Sequence, residues 1–91
     1  MQIVIVGITE LSRYVTDVLK EEGHSIVIVD KDAAACRTFS SETDVLAVQG
    51  DATEPKVLEQ AGIEKADAIV ALTRKDDINM MAALLGKELG A

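Results

Sequence analysis

Tryptophan is absent from this 91-residue chain, and proline, cysteine, histidine, tyrosine and phenylalanine occur once each. With Cys36 alone, neither a disulfide framework nor a thiolate metal site can form within one chain, and a reduced, cytoplasmic setting is the default. Cys36 lies in an alanine-rich segment and reads as a packed core thiol. With His24 alone, in the turn before the second apolar run, a metal or imidazole-catalysed site has no second partner. With Tyr14 and Phe39 as the only aromatics, the core falls to Val, Ile, Leu and Ala, which suits helices stacked on a parallel sheet.

Positive charge is scarce too: nine Lys and Arg face sixteen Asp and Glu, for a formal net charge of −7. A surface so acidic, without aromatic stacking platforms, argues against nucleic acid as a partner. It leaves room for one small nucleotide held by local donors. No apolar run approaches the ~20 residues of a membrane helix. The chain opens directly on "MQIVIV" without a signal peptide, so any membrane link is expected through a partner. No serine–histidine or carboxylate pair is arranged for nucleophilic or hydrolytic chemistry, and the chain does not read as an enzyme.

Four short apolar runs are present: Ile3–Val6, Ile26–Val29, Val45–Val48 and Ala68–Leu72. They are continuous rather than alternating, as in strands buried on both faces of a parallel sheet. Helical patterns separate them. Over Glu10–Glu22, Leu11, Tyr14, Val15, Val18 and Leu19 follow the i, i+3, i+4, i+7, i+8 spacing of an apolar stripe, and Gly23 ends the helix. Ala33–Phe39 is a shorter helix. Pro55–Ala61 is a third, with Pro55 in its first turn and Gly62 as its stop. Ile78–Leu89 is a fourth, after an acidic start at Asp76 and Asp77. Met80 and Met81 read as core or interface packing.

The order β-α-β-α-β-α-β-α predicts one Rossmann-like α/β domain over residues 1–91: a doubly wound parallel sheet, strand order 3-2-1-4, with its switch point between strands 1 and 4. Ending after the fourth helix, it reads as a truncated domain or one half of a larger regulator. Its uncovered edge, with Ile78, Met81 and Leu85, is an expected contact surface.

Ligands of such sheets bind at the carboxyl ends of the strands, so four stretches carry the candidate residues. After strand 1, "VGITELS" stands where a glycine-rich phosphate loop belongs; it contributes Gly7, Thr9, Glu10 and Leu11. After strand 2 come Asp30 and Lys31. Asp30 lies near the position of the carboxylate that takes ribose hydroxyls; the alternative is a turn aspartate capping the next helix, with Asp32 as its rival. After strand 3, "QGDAT" offers Gly50 for close approach to a flat ring and Asp51 with Ala52 beside an adenine edge; the alternative is turn chemistry with Thr53 capping the third helix. After strand 4, Thr73 is a phosphate or ribose contact and Asn79 a ligand or subunit contact. Arg74 and Lys75 are the nearest cations, although a solvated charge cluster is the favoured reading of that pair.

Together, "MQIVIVGITELS", "HSIVIVDKD", "VQGDATEPKVLEQAGIEKADAIVALT" and "DDINMMAALL" resemble the RCK/KTN (TrkA-N) domain, the nucleotide-binding regulatory module of Trk/Ktr potassium-uptake systems and potassium channels. The resemblance covers nearly the whole chain. It implies a cytoplasmic regulator, peripheral to the membrane, that forms dimers or rings beneath a channel or transporter subunit. It implies binding of NAD(H) or ATP, ADP or AMP, with occupancy gating the pore. Two rival readings remain: a ligand-free structural ring subunit, and the amino-terminal piece of an NAD-dependent dehydrogenase.

The departure is the first loop. The family pattern is G-x-G-R-x-G. Gly7 matches the first glycine, Thr9 and Ser12 stand at the other two, and Glu10 replaces the basic residue. Thr9 is a good N-cap, able to accept from the Ser12 amide, so the loop satisfies its own helix end. A Glu10 carboxylate ~5 Å from a phosphate charge costs about 3 kcal/mol at an effective dielectric of ~20, against ~0.3–1 kcal/mol returned by the helix dipole. If Glu10 faces the crevice, repulsion wins; if it faces solvent, screening removes most of the cost. The expectation is a retained adenosine half-site beside a weakened phosphate half-site.

Overall fold

A computed structural model describes residues 1–91. The elements run β1 (Gln2–Val6), α1 (Glu10–Glu21), β2 (Ser25–Asp30), α2 (Ala33–Glu42), β3 (Leu46–Gln49), α3 (Pro55–Gln60), a 3-10 turn (Ile63–Lys65), β4 (Ala68–Ala71) and α4 (Asp76–Leu89). All strand pairs are parallel, in the order β3-β2-β1-β4. In register, Ile5 lies between Ile28 and Val70. The doubly wound sheet and its switch point are as the sequence predicts.

Two cores follow from the pleat, because successive side chains of a strand point to opposite faces. Ile3, Ile5, Ile26 and Ile28 join Phe39 and Val45 on the face covered by α1 and α2. Val4, Val6 and Val29 join Val57, Leu58, Ile63 and Ala82 on the face covered by α3 and α4. The central strand β1 is therefore buried from Ile3 to Val6. Every residue of the edge strand β4 is half-buried.

The packing corrects several sequence expectations. The α1 stripe is rotated by about one position. Leu11, Tyr14 and Val18 are exposed (56, 68 and 37 %), and Ser12 and Thr16 are buried with Val15 and Leu19 at their side. Small polar side chains let the helix lie close to the sheet, and the residues 12, 15, 16 and 19 obey the same 3.6-residue period. The α2 helix runs three residues past Phe39, ending where the Thr43 amide donates to the Phe39 carbonyl. The α4 helix begins at Asp76 rather than Ile78. Leu85 packs against the core instead of standing open, whereas Met80, Met81 and Leu84 are exposed. No helix is long and apolar enough to cross a membrane.

Candidate functional site

The loops that follow the four strands line a crevice of about 270 Å³ at the carboxyl end of the sheet, just below the ~300–1,000 Å³ of small-molecule pockets. Each loop is shaped by its own short hydrogen bonds.

In the β1–α1 loop, Gly7 has φ +100°, and a Cβ there would lie 2.9 Å from the backbone nitrogen of Thr73. The glycine thus lets the loops after β1 and β4 touch. Thr9 caps α1: its Oγ1 accepts from the Ser12 amide at 3.1 Å, and its own amide donates to Ser12 Oγ at 2.7 Å. This reciprocal capping box satisfies two of the four amides left unpaired at the start of a helix, leaving those of Glu10 and Leu11 for an anion. The Thr9 hydroxyl also donates to the Leu72 carbonyl at 3.3 Å, a second tie across the switch point. Glu10 and Leu11 are exposed on the first turn of α1, and neither side chain lines the cavity.

Asp30 ends β2, half-buried. Its Oδ2 accepts from the Ile8 amide at 2.7 Å and its Oδ1 from the Asp32 amide at 2.8 Å. Asp32, not Asp30, caps α2, accepting from the amides of Ala34 and Ala35. Asp30 therefore belongs to the crevice and not to the helix end. A carboxylate has about four acceptor sites, so each oxygen retains capacity for a ligand hydroxyl. Lys31 lines the cavity beside it.

After β3, Gly50 and Ala52 line the wall. A Cβ on Gly50 would strike Val57 Cγ2 at 2.7 Å, so this glycine serves the packing of α3. Asp51 turns back on its own loop, accepting from the amide and hydroxyl of Thr53 at 2.9 and 2.7 Å. These bonds hold its carboxyl below the usual value. Thr53 is consequently not the α3 cap; Glu54 occupies that position without a side-chain hydrogen bond.

After β4, Asn79 grips Thr73, accepting from its amide at 2.9 Å and donating to its carbonyl at 3.0 Å. The Thr73 hydroxyl in turn accepts from the Lys75 amide at 3.2 Å. Thr73, Arg74 and Lys75 line the cavity, and Asn79 acts on it through Thr73.

The structure thus gathers Gly7, Thr9, Asp30, Lys31, Ala52, Thr73 and Arg74 around one cavity and leaves Glu10, Leu11, Asp51 and Asn79 outside its lining. Two participants escape a reading of the sequence. Ile8 contributes a backbone amide that carries no sequence signal. Ile78 lines the cavity although its helical position marked it as outer surface. Cys36 is buried, its Sγ 3.5 Å from the Asp30 carbonyl oxygen. Burial, and then the Asp30 charge, push its thiol pKa up. No group of three or more His, Cys, Asp or Glu is placed to hold a metal ion.

Residues 3–91 match the TrkA-N domain family. A Trk system potassium uptake protein TrkA homolog of Pyrococcus horikoshii is 42 % identical over 89 residues, which cover 98 % of this chain and 39 % of that protein. The chain therefore spans well under half the length of that relative. Among solved structures, the GsuK channel superposes with a TM-score of 0.84 at 24 % identity, over 98 % of this chain and 16 % of that one. The Shewanella denitrificans Kef CTD in its AMP-bound form gives 0.82 at 20 % identity, over 97 % of this chain and 52 % of that one. At these identities the two structures speak to the fold.

Proposed function

This chain belongs to the TrkA-N domain family, and on that premise we propose that it is the nucleotide-binding part of a larger regulator of potassium transport. In this reading it acts without catalysis, in the cytoplasm, and reaches the membrane through a channel or transporter subunit whose opening follows nucleotide occupancy. The observation that carries the reading is Asp30: its carboxylate stands at the end of β2, on the rim of a cavity bounded by all four strand ends, with acceptor capacity left for ribose hydroxyls. Adenine nucleotides or NAD(H) are the ligand class. The AMP named with the Kef CTD supports the adenine choice.

Calorimetric titration of the chain with AMP, ATP and NADH tests this. Binding that falls about tenfold or more in Asp30→Ala, a difference of ~1.4 kcal/mol, is expected; no binding of any of the three would contradict it. The Thr9–Ser12 capping box favours a second reading, a structural subunit that binds nothing, and the same titration separates the two.

Self-association belongs to the proposal as well. Leu11, Tyr14 and Val18 stand on one side of α1, and Met80, Met81 and Leu84 on α4, all exposed; apolar surface of this kind marks contacts between chains. Light scattering should give a dimer or larger, and a monomer at high micromolar concentration would oppose it.

A further inference from the structure

The cavity has a charge unlike that of the chain around it. Three of the nine Lys and Arg line it, Lys31, Arg74 and Lys75, against one of the sixteen Asp and Glu, Asp30. Both oxygens of that one carboxylate already accept backbone amides. The two ion pairs of the structure, Arg13–Glu42 and Lys20–Asp44, involve none of the three cations. In a chain of net charge −7, three unpaired cations around one cavity form an anion-attracting pole. The acidic neighbours lie outside it. Asp76 and Asp77 follow Lys75 on α4 but do not line the cavity, Asp51 bonds Thr53 and attracts Lys31 from outside the lining, and Glu10 is exposed on α1, so Arg74 and Lys75 are the two cations with no carboxylate drawn to them from the lining.

The usual phosphate subsite of this architecture is the first glycine-rich loop and the helix that follows it. Here the capping box consumes two of the four amides there, and the first residue of α1 is an acid. We propose that the phosphates of the bound nucleotide are held by Arg74 and Lys75 of the β4–α4 loop rather than by Gly7–Ser12. The inference rests on the nucleotide reading given above and adds its direction: the adenosine lies toward Asp30 and Ala52, and the phosphates run toward Thr73. It also orders the ligands. Each added phosphate charge raises affinity, so ATP and ADP bind more tightly than AMP, and AMP more tightly than adenosine. An adenosine-led site with a weak phosphate half would bind all four alike.

The test is a calorimetric series of adenosine, AMP, ADP and ATP against the wild-type chain and the double variant Arg74→Gln/Lys75→Gln, at low and high salt. For the wild type, ATP should bind at least about tenfold more tightly than adenosine at low salt, and the gap should shrink as salt screens it. The double variant should bind adenosine as the wild type does and lose the gain from AMP to ATP. Both side chains are exposed, so its thermal unfolding should match the wild type. A gain across the series that survives in the double variant, or a wild type that binds adenosine and ATP equally, overturns the phosphate assignment while leaving the nucleotide reading intact. Failure of all four ligands to bind overturns the phosphate assignment, and failure of NADH as well overturns the nucleotide reading with it.

Discussion

Asp30 Oδ2 accepts the Ile8 amide at 2.7 Å, so one carboxylate joins the end of β2 to the loop after β1. A second bond from the Asp32 amide fixes its other oxygen. The residue that offers acceptors to a ligand is thus also a structural tie between two loops. Asp30→Ala should therefore lose stability as well as ligand, by about 2 kcal/mol, since hydrogen bonds to charged groups are worth ~1.5–3 kcal/mol each and these are partly exposed. Urea unfolding measures it. A variant of unchanged stability would mean that the two loops hold their positions without the carboxylate.

The Thr16 hydroxyl is fully buried without a hydrogen-bond partner. An unmade bond of that kind costs about 1–3 kcal/mol, and replacing the group by an apolar one of the same shape recovers part of it. Thr16→Val should raise stability by roughly 1 kcal/mol in the same urea experiment. A loss of stability would show that the hydroxyl has a partner, such as a buried water.

Gly7 and Gly86 are both tightly packed, but against different things. A Cβ on Gly7 meets Thr73 backbone atoms at 2.9 and 3.0 Å, at φ +100°, whereas one on Gly86 meets the end of the Ile69 side chain at 2.6 Å. Backbone cannot yield as a side-chain methyl can, and a positive φ adds ~1–3 kcal/mol of strain for other residues. Gly86→Ala instead regains helix propensity of up to ~1 kcal/mol. Thermal unfolding should rank Gly7→Ala well below Gly86→Ala, and the reverse order would refute the loop contact.

Thr53 lowers the Asp51 carboxyl pKa through its hydroxyl and its amide. A group whose pKa is depressed on folding stabilises the fold above its unfolded value and loses that contribution as pH falls through the folded value. The window here opens at the ordinary value of 3.8 and extends downward. Comparing wild type with Asp51→Asn by unfolding at pH 7 and at successively lower pH, the difference between them should shrink only below that value. A constant difference would show that the carboxylate form is not the one Thr53 favours.

Much of this was legible in advance because it depends on local sequence. Four continuous apolar runs separated by helical patterns dictate a parallel sheet covered on both faces, and the strand order is that of the nucleotide-binding doubly wound fold. Gly7 and Asp30 are placed by the turns they must make. The rotation of α1 was not legible: the residues 11, 14, 15, 18 and 19 and the residues 12, 15, 16 and 19 share Val15 and Leu19. Only the close approach of the sheet selects Ser12 and Thr16 over Leu11 and Tyr14. The same holds for Glu10, whose orientation depends on that rotation. Asp51 looked like a ligand contact because a short Asp–Ala–Thr turn reads alike whether its carboxylate faces a ligand or its own Thr53.

The central claim is that a nucleotide occupies the carboxyl end of the sheet, between Asp30 and the β4–α4 loop. Amide chemical-shift mapping with ATP on the isotopically labelled chain tests it most directly. The account predicts saturable shifts at Ile8, Asp30, Lys31, Ala52, Thr73 and Lys75. It predicts none at Gly62 and Lys65, which lie by the amino-terminal ends of the strands beside Gln2 and Ser25. Shifts centred on Gly62 and Lys65, or no saturable shifts at millimolar ATP, would contradict it.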